Sequence, residues 1–128
     1  MRHIFHTYCL LVQDHSLQHY SPVVRHTILM IDSDLSAELA PARLASAQRV
    51  SLGYLCSVFK RETGRTLSEY IREQRMEYAS YLLRTTELQI QTVALHCGIM
   101  DVQYFSKLFK RQFGTSPTQH RLSHTRTR

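Results

Sequence analysis

The stretch Tyr54-Leu-Cys-Ser-Val-Phe-Lys-Arg-Glu-Thr-Gly64 recurs 50 residues later as Tyr104-Phe-Ser-Lys-Leu-Phe-Lys-Arg-Gln-Phe-Gly114. Tyr, Phe, Lys, Arg and the closing Gly are identical in the two copies, and the other core-spaced positions stay apolar. Apolar residues three and four apart make one face of a helix. Leu55 and Phe59 in the first copy, and Phe105 and Phe109 in the second, are therefore core. A side chain that accepts from the first turn opens each helix, Ser51 in one copy and Asp101 in the other. A Gly in the left-handed conformation closes each, Gly64 and Gly114.

Outward from these runs the punctuation continues. Pro41 suits the first turn of a short helix, where its missing N–H is not needed, with Leu44 and Ala45 facing inward. Ile90, Val93, Ala94 and Cys97 mark a second short helix, stopped by Gly98. Each is followed by a tight turn and then by one copy of the repeat. Short helix, turn and capped helix form a helix-turn-helix, so the chain carries two.

Thr66-Leu-Ser-Glu69 is a capping box, with Thr at the N-cap and Glu three residues on. It opens the longest helix, about residues 67–84. Tyr70, Ile71, Gln74, Tyr78, Tyr81 and Leu82, with Met76, Ala79 and Leu83, make a stripe too wide for a one-sided surface helix. This helix joins the two units. Ser116-Pro-Thr-Gln119 is a second capping box and starts a short terminal helix. Before Pro41, Val23, Val24, Ile28 and Ile31 share one face of a helix that follows Ser21-Pro22 and ends near Asp32-Ser33-Asp34. Ile4, Tyr8, Leu11 and Val12 are spaced as a further short amphipathic helix.

The expected fold is all-α: two helix-turn-helix subdomains joined by a long linking helix, about seven helices, with an N-terminal helical extension. The divisions are an extension or linker remnant at 1–21, a first unit at 22–66, and a linking helix at 67–85. A second unit follows at 86–122, then a frayed polar tail at 123–128.

Charge points to the partner. Residues 1–40 hold two Arg against four acidic residues, a balance of −2, whereas residues 41–128 hold fourteen Lys and Arg against six, a balance of +8. A positive field concentrated on the helix-turn-helix region fits a polyanion. A capped helix also turns its N-terminal N–H groups and positive dipole end toward phosphate. Recognition helices on one face of a duplex sit about 34 Å apart, and a helix of roughly 18 residues spans about 27 Å. The linking helix is of the right order to bridge that step.

His3, His6 and Cys9, and His15 with His19, have spacings that suit one helix face, but no further cluster completes a four-ligand zinc set. His96 adjoins Cys97, and neighbours on a helix point in different directions, so no nucleophile–base pair forms. There is no phosphate-binding Gly-rich loop. No enzyme activity, metal or cofactor is expected. Cys9, Cys56 and Cys97 are odd in number and widely spaced, which implies reduced thiols and a cytoplasmic setting. Cys56 and Cys97 are expected to act as small packing residues. No apolar run approaches the length of a membrane span, and no secretory signal opens the chain.

These residues resemble the C-terminal DNA-binding domain of the AraC/XylS family of bacterial transcription regulators. The resemblance runs over about residues 22–121. It rests on Tyr54–Gly64, Glu69-Tyr70-Ile71, Arg75-Met76-Glu77-Tyr78-Ala79, Leu82-Leu83, Ile90, Val93-Ala94 and Cys97-Gly98-Ile99. Tyr104-Phe105, Phe109-Lys110, Gly114-Thr-Ser-Pro117 and Arg121 complete it. It implies a two-lobed fold with recognition helices at about 51–63 and 101–113 in consecutive major grooves. Base-contact candidates are Leu52, Gly53, Cys56 and Ser57 in the first, and Val102, Gln103, Ser106 and Lys107 in the second. Ser51, Lys60, Arg61, Asp101, Lys110 and Arg111 are phosphate candidates. Gln103 suits adenine and Lys107 suits guanine, whereas Gly53, Cys56 and Ser57 are small readers, so most direct readout is expected from the second unit. Arg75 is expected to be structural.

Double-stranded DNA is the expected partner, with RNA polymerase and a second copy through residues 1–40 as further candidate partners. Another reading is a non-enzymatic interaction fragment that titrates a full-length partner through the same residues. Two positions depart from the family pattern. Arg49 stands where Gly is usual in the first turn, and would carry roughly 1 kcal/mol of strain if left-handed. Pro41 replaces a usual apolar residue. The 128 residues leave no room for the sensing or dimerisation domain common in the family.

Overall fold

The computed structural model describes residues 17–36 and 38–125. Among them are seven helices: α1 (Pro22–Ser33), α2 (Pro41–Ala47), α3 (Leu52–Thr63), α4 (Leu67–Thr85), α5 (Ile90–His96), α6 (Val102–Phe113) and α7 (Pro117–Thr125). No strand occurs among the described residues. The chain clusters into two compact units that divide inside α4, between Arg72 and Glu73. The expected helix at Ile4–Val12 and the histidines His3, His6 and His15 with Cys9 lie outside the described residues. So does much of the proposed pairing surface at 1–40.

In the first unit, α1, α2 and α3 pack through Val24, Ile28, Ile31, Leu44, Ala45, Leu55, Val58 and Phe59, all buried. The opening turn of α4 adds Leu67 and Ile71. Its start is the expected capping box: Glu69 N–H donates to Thr66 Oγ1 at 3.1 Å, and Thr66 N–H to Glu69 Oε1 at 3.0 Å. Those bonds to Thr66, backbone first, hold the Glu69 carboxyl below its ordinary pKa. Polar links fix the angles between elements. Gln48 Nε2 donates to the buried Thr27 Oγ1 at 2.7 Å, and Ser21 N–H to Glu62 Oε1 at 2.8 Å. The Tyr70 ring meets Phe59 edge-on with centroids 5.5 Å apart. At the entrance to α1, residues 17–20 form a turn, closed by Tyr20 N–H to Leu17 O at 3.1 Å, with the Leu17 side chain buried.

In the second unit, Met76, Tyr78, Ala79, Leu82 and Leu83 of α4 are buried, as are Val93, Ala94, Cys97, Phe105, Leu108 and Phe109. Arg121 Nε donates to Leu83 O at 3.1 Å, tying α7 to α4. Ser116 Oγ starts α7 by accepting from Gln119 N–H at 3.2 Å. The helix runs to Thr125, past the expected end at residue 122; in it the His124 ring at Nδ1 hydrogen-bonds His120 O at 2.8 Å and lies tilted against the His120 ring.

Candidate nucleic-acid interface

Both recognition helices are 12 residues long, begin at an extended cap residue and end at a left-handed Gly. Gly64 has φ 78° and Gly114 φ 77°, and each N–H donates to the carbonyl of the repeated Lys, Lys60 or Lys110. One face of each helix is core: Leu55, Val58 and Phe59 in α3, and Phe105, Leu108 and Phe109 in α6. Whatever a groove meets must come from the other faces.

The two caps differ in charge and in what they leave open. Ser51 is neutral, and its hydroxyl accepts from Tyr54 N–H at 3.1 Å. The N–H groups of Leu52 and Gly53 have no partner within the helix and point out of its end. A side chain at Gly53 would meet nothing within 4 Å, so the space beside this residue is open. Asp101 is an acid, and its Oδ1 accepts from both Gln103 N–H, at 3.0 Å, and Tyr104 N–H, at 3.2 Å. The Asp101 side chain is thus engaged in the cap through Oδ1 and carries the same sign of charge as a phosphate.

Of the base-contact candidates, Leu52, Gly53, Cys56, Ser57, Gln103 and Lys107 are exposed, whereas Val102 and Ser106 are half-buried. Cys56 therefore does not pack in the core, unlike the buried Cys97. The thiol of Cys97 is pushed up to about 12 by burial. Arg75 is itself half-buried, and burial pulls its guanidinium below the ordinary value. That placement suits a structural role. Lys60, Arg61, Lys110 and Arg111 are all exposed in the last turn of their helices. Positive charge there also complements the helix dipole, so these residues serve the helix as well as any anion.

Two exposed residues escaped the sequence reading. Tyr54 is 52% exposed and Tyr104 is 51% exposed. At 100° per residue each stands on the flank of the apolar face, on the side of Arg61 or Arg111 seven residues later. The signal that could have found them was in the repeat: an identical Tyr one residue ahead of each core position.

The turns before the recognition helices share one bonding pattern. In the first, Gln48 N–H and Val50 N–H both donate to Ala45 O, and Arg49 N–H donates to Ser46 O, each at 3.1 Å. In the second, Cys97 N–H and Ile99 N–H donate to Ala94 O, and Gly98 N–H to Leu95 O. Arg49 and Gly98 hold the same left-handed position, with φ 59° and 80°. The turns correspond at an offset of 49 residues and the helices at 50. Met100 is the inserted residue, and it is 86% exposed.

Behind α6 lies a histidine cluster. His120 packs edge-on against Phe109 with centroids 5.1 Å apart, and lies tilted against Phe113 at 5.3 Å. Its Nε2 is 2.8 Å from Ser80 Oγ, to which Arg84 Nε donates at 3.3 Å. That network suits a neutral ring whose Nε2 accepts from the Ser80 hydroxyl. Burial, then the neighbouring His124 and Arg84, lower the His120 pKa.

Comparison with known proteins places the chain. Residues 44–123 match the family model described as a helix-turn-helix domain. The regulatory protein SoxS of Escherichia coli strain K12 is 33% identical over 102 residues, 80% of this chain and 95% of SoxS. The chain belongs to the AraC-type helix-turn-helix family. The HTH-type transcriptional activator RhaR of Enterobacter sp. strain 638 is 34% identical over 94 residues, 73% of this chain. The aligned part is only 33% of RhaR, so the chain corresponds to about a third of that relative and to nearly all of SoxS. Among solved structures, the C-terminal domain of AraT, a response regulator from Geobacillus stearothermophilus, superposes with a TM-score of 0.79 at 36% identity. That match covers 87% of this chain and 89% of the other.

Proposed function

We propose that this AraC-type domain binds double-stranded DNA sequence-specifically and regulates transcription in bacteria, acting by binding rather than by catalysis. The observation that carries the reading is the repeated frame itself. Two capped helices each bury one face and leave cations and polar side chains on the rest, in the part of the chain that holds the positive charge. Each unit offers one such helix to a major groove. Gln103 and Lys107 read base edges; Lys60, Arg61, Lys110 and Arg111 contact phosphates. The first unit, with Ser57 and Gly53 on its exposed face, contributes mainly backbone contacts and shape readout. A cytoplasmic setting follows from that partner. No helix among the described residues is long and apolar enough to cross a membrane.

The test is duplex binding against salt. A promoter fragment selected from random DNA should bind with log Kobs falling linearly in log salt, at a slope of about −0.9 for each phosphate neutralised. Scrambled duplex should bind more weakly. Equal, salt-insensitive binding to both duplexes would contradict the proposal.

A further inference from the structure

One position in the first turn is strained where its counterpart is not. Arg49 is the only non-Gly residue with positive φ among the described residues, and the second turn meets the same requirement with Gly98. A left-handed conformation crowds Cβ against the backbone, which Gly avoids. The turn around Arg49 is held firmly. Its neighbour Gln48 is anchored through Nε2 to Thr27 Oγ1 at 2.7 Å, and the backbone on both sides is hydrogen-bonded to α2. Strain that the surroundings over-determine is characteristic of functional positions.

The side chain at this position is exposed and charged. It stands two residues before Ser51, hence within about 7 Å of that cap at the α-carbon level, and a guanidinium adds comparable reach. The end of α3 it flanks has a neutral cap, outward N–H groups at Leu52 and Gly53, and open space beside Gly53. At the equivalent place the second unit carries Gly98 and the acid Asp101. The same structural corner is therefore cationic in one unit and anionic in the other.

We propose that Arg49 is a DNA-phosphate contact of the first unit, kept in a strained turn because the cation is used at the entry of α3. This rests on the DNA-binding reading above. The guanidinium donates to a phosphate beside the groove and adds affinity without reading sequence.

The experiment measures thermal unfolding and duplex affinity for the full chain and for Arg49→Gly, Arg49→Lys and Arg49→Asn. Arg49→Gly relieves the strain, so its unfolding temperature should match or exceed wild type, while its affinity falls about tenfold on target and scrambled duplex alike. The salt slope should lose about one phosphate's worth. Arg49→Asn, which tolerates the left-handed region without charge, should bind like Arg49→Gly; Arg49→Lys should keep the slope. If wild type binds and Arg49→Gly binds as tightly with an unchanged slope, the Arg49 contact is overturned and the DNA reading stands. If wild type itself shows no salt-dependent binding, both fall.

Discussion

The two helix-turn-helix units share a frame and differ at the surface it presents. Each has a short helix, a left-handed turn residue, a capped helix of 12 residues, a Lys-Arg pair in its last turn and a closing Gly. The first unit then offers a neutral cap, Gly53, Cys56, Ser57 and the strained Arg49. The second offers an acidic cap, Gln103 and Lys107. Burial constrains the frame, because a slip at Phe59 or Phe109 empties the core, whereas exposed positions are free to diverge toward different tasks. In this account the first unit grips the backbone and the second reads bases.

The largest effects should be shared by both units, since the frame is shared. Phe59→Ala and Phe109→Ala each remove a ring with no exposure and should cost about 3–5 kcal/mol in chemical unfolding. A loss below about 1 kcal/mol in either unit would break the claim of equivalent cores.

The next effects separate the units. Lys107→Ala and Gln103→Ala should each reduce discrimination at particular base pairs by about 1–3 kcal/mol, measured with single-substitution duplexes. Ser57→Ala should leave discrimination nearly unchanged. Asp101→Asn keeps an effective cap, so unfolding should shift by well under 1 kcal/mol, while removal of the negative charge raises affinity for scrambled duplex. Unchanged affinity would mean that the α6 entry lies away from the phosphates.

A smaller effect, on stability, belongs to the second unit alone. His120 has a lowered pKa in the folded state, so the unfolded chain binds more protons once pH falls below the ordinary value of 6.5. Stability should therefore decline from about pH 6.5 downward and level off below the folded-state pKa. In a His120→Gln variant the His120 part of that decline should vanish. An identical pH profile in the variant would show that the cluster around Ser80 and Phe113 does not set it.

Sequence made the frame legible because each of its parts is a local physical requirement. Caps at Ser51, Thr66 and Asp101, closing Gly residues at 64 and 114, and the spacing of Phe105 with Phe109 need no tertiary knowledge. A left-handed Arg49 was raised only by the resemblance, which has Gly at that position, and its φ of 59° agrees. What escaped depended on three-dimensional surroundings. Periodicity gave the thiols of Cys56 and Cys97 similar roles, yet one is exposed and the other buried. Tyr104 sits at the border of the apolar face, where a one-residue rotation decides exposure. The cap role of Asp101 follows from its position, whereas the two N–H groups it accepts from are visible only in the folded helix. The His120 cluster joins residues 40 apart in sequence, which no local pattern announces.

The most direct test of unequal units is selection of binding sites from random duplex DNA, run on wild type, Lys107→Ala and Ser57→Ala in parallel. Unequal units predict a motif whose information is concentrated in one half, degenerate at defined positions of that half in Lys107→Ala and preserved in Ser57→Ala. Two equally informative halves, or a motif that Ser57→Ala degrades as much as Lys107→Ala, would contradict it.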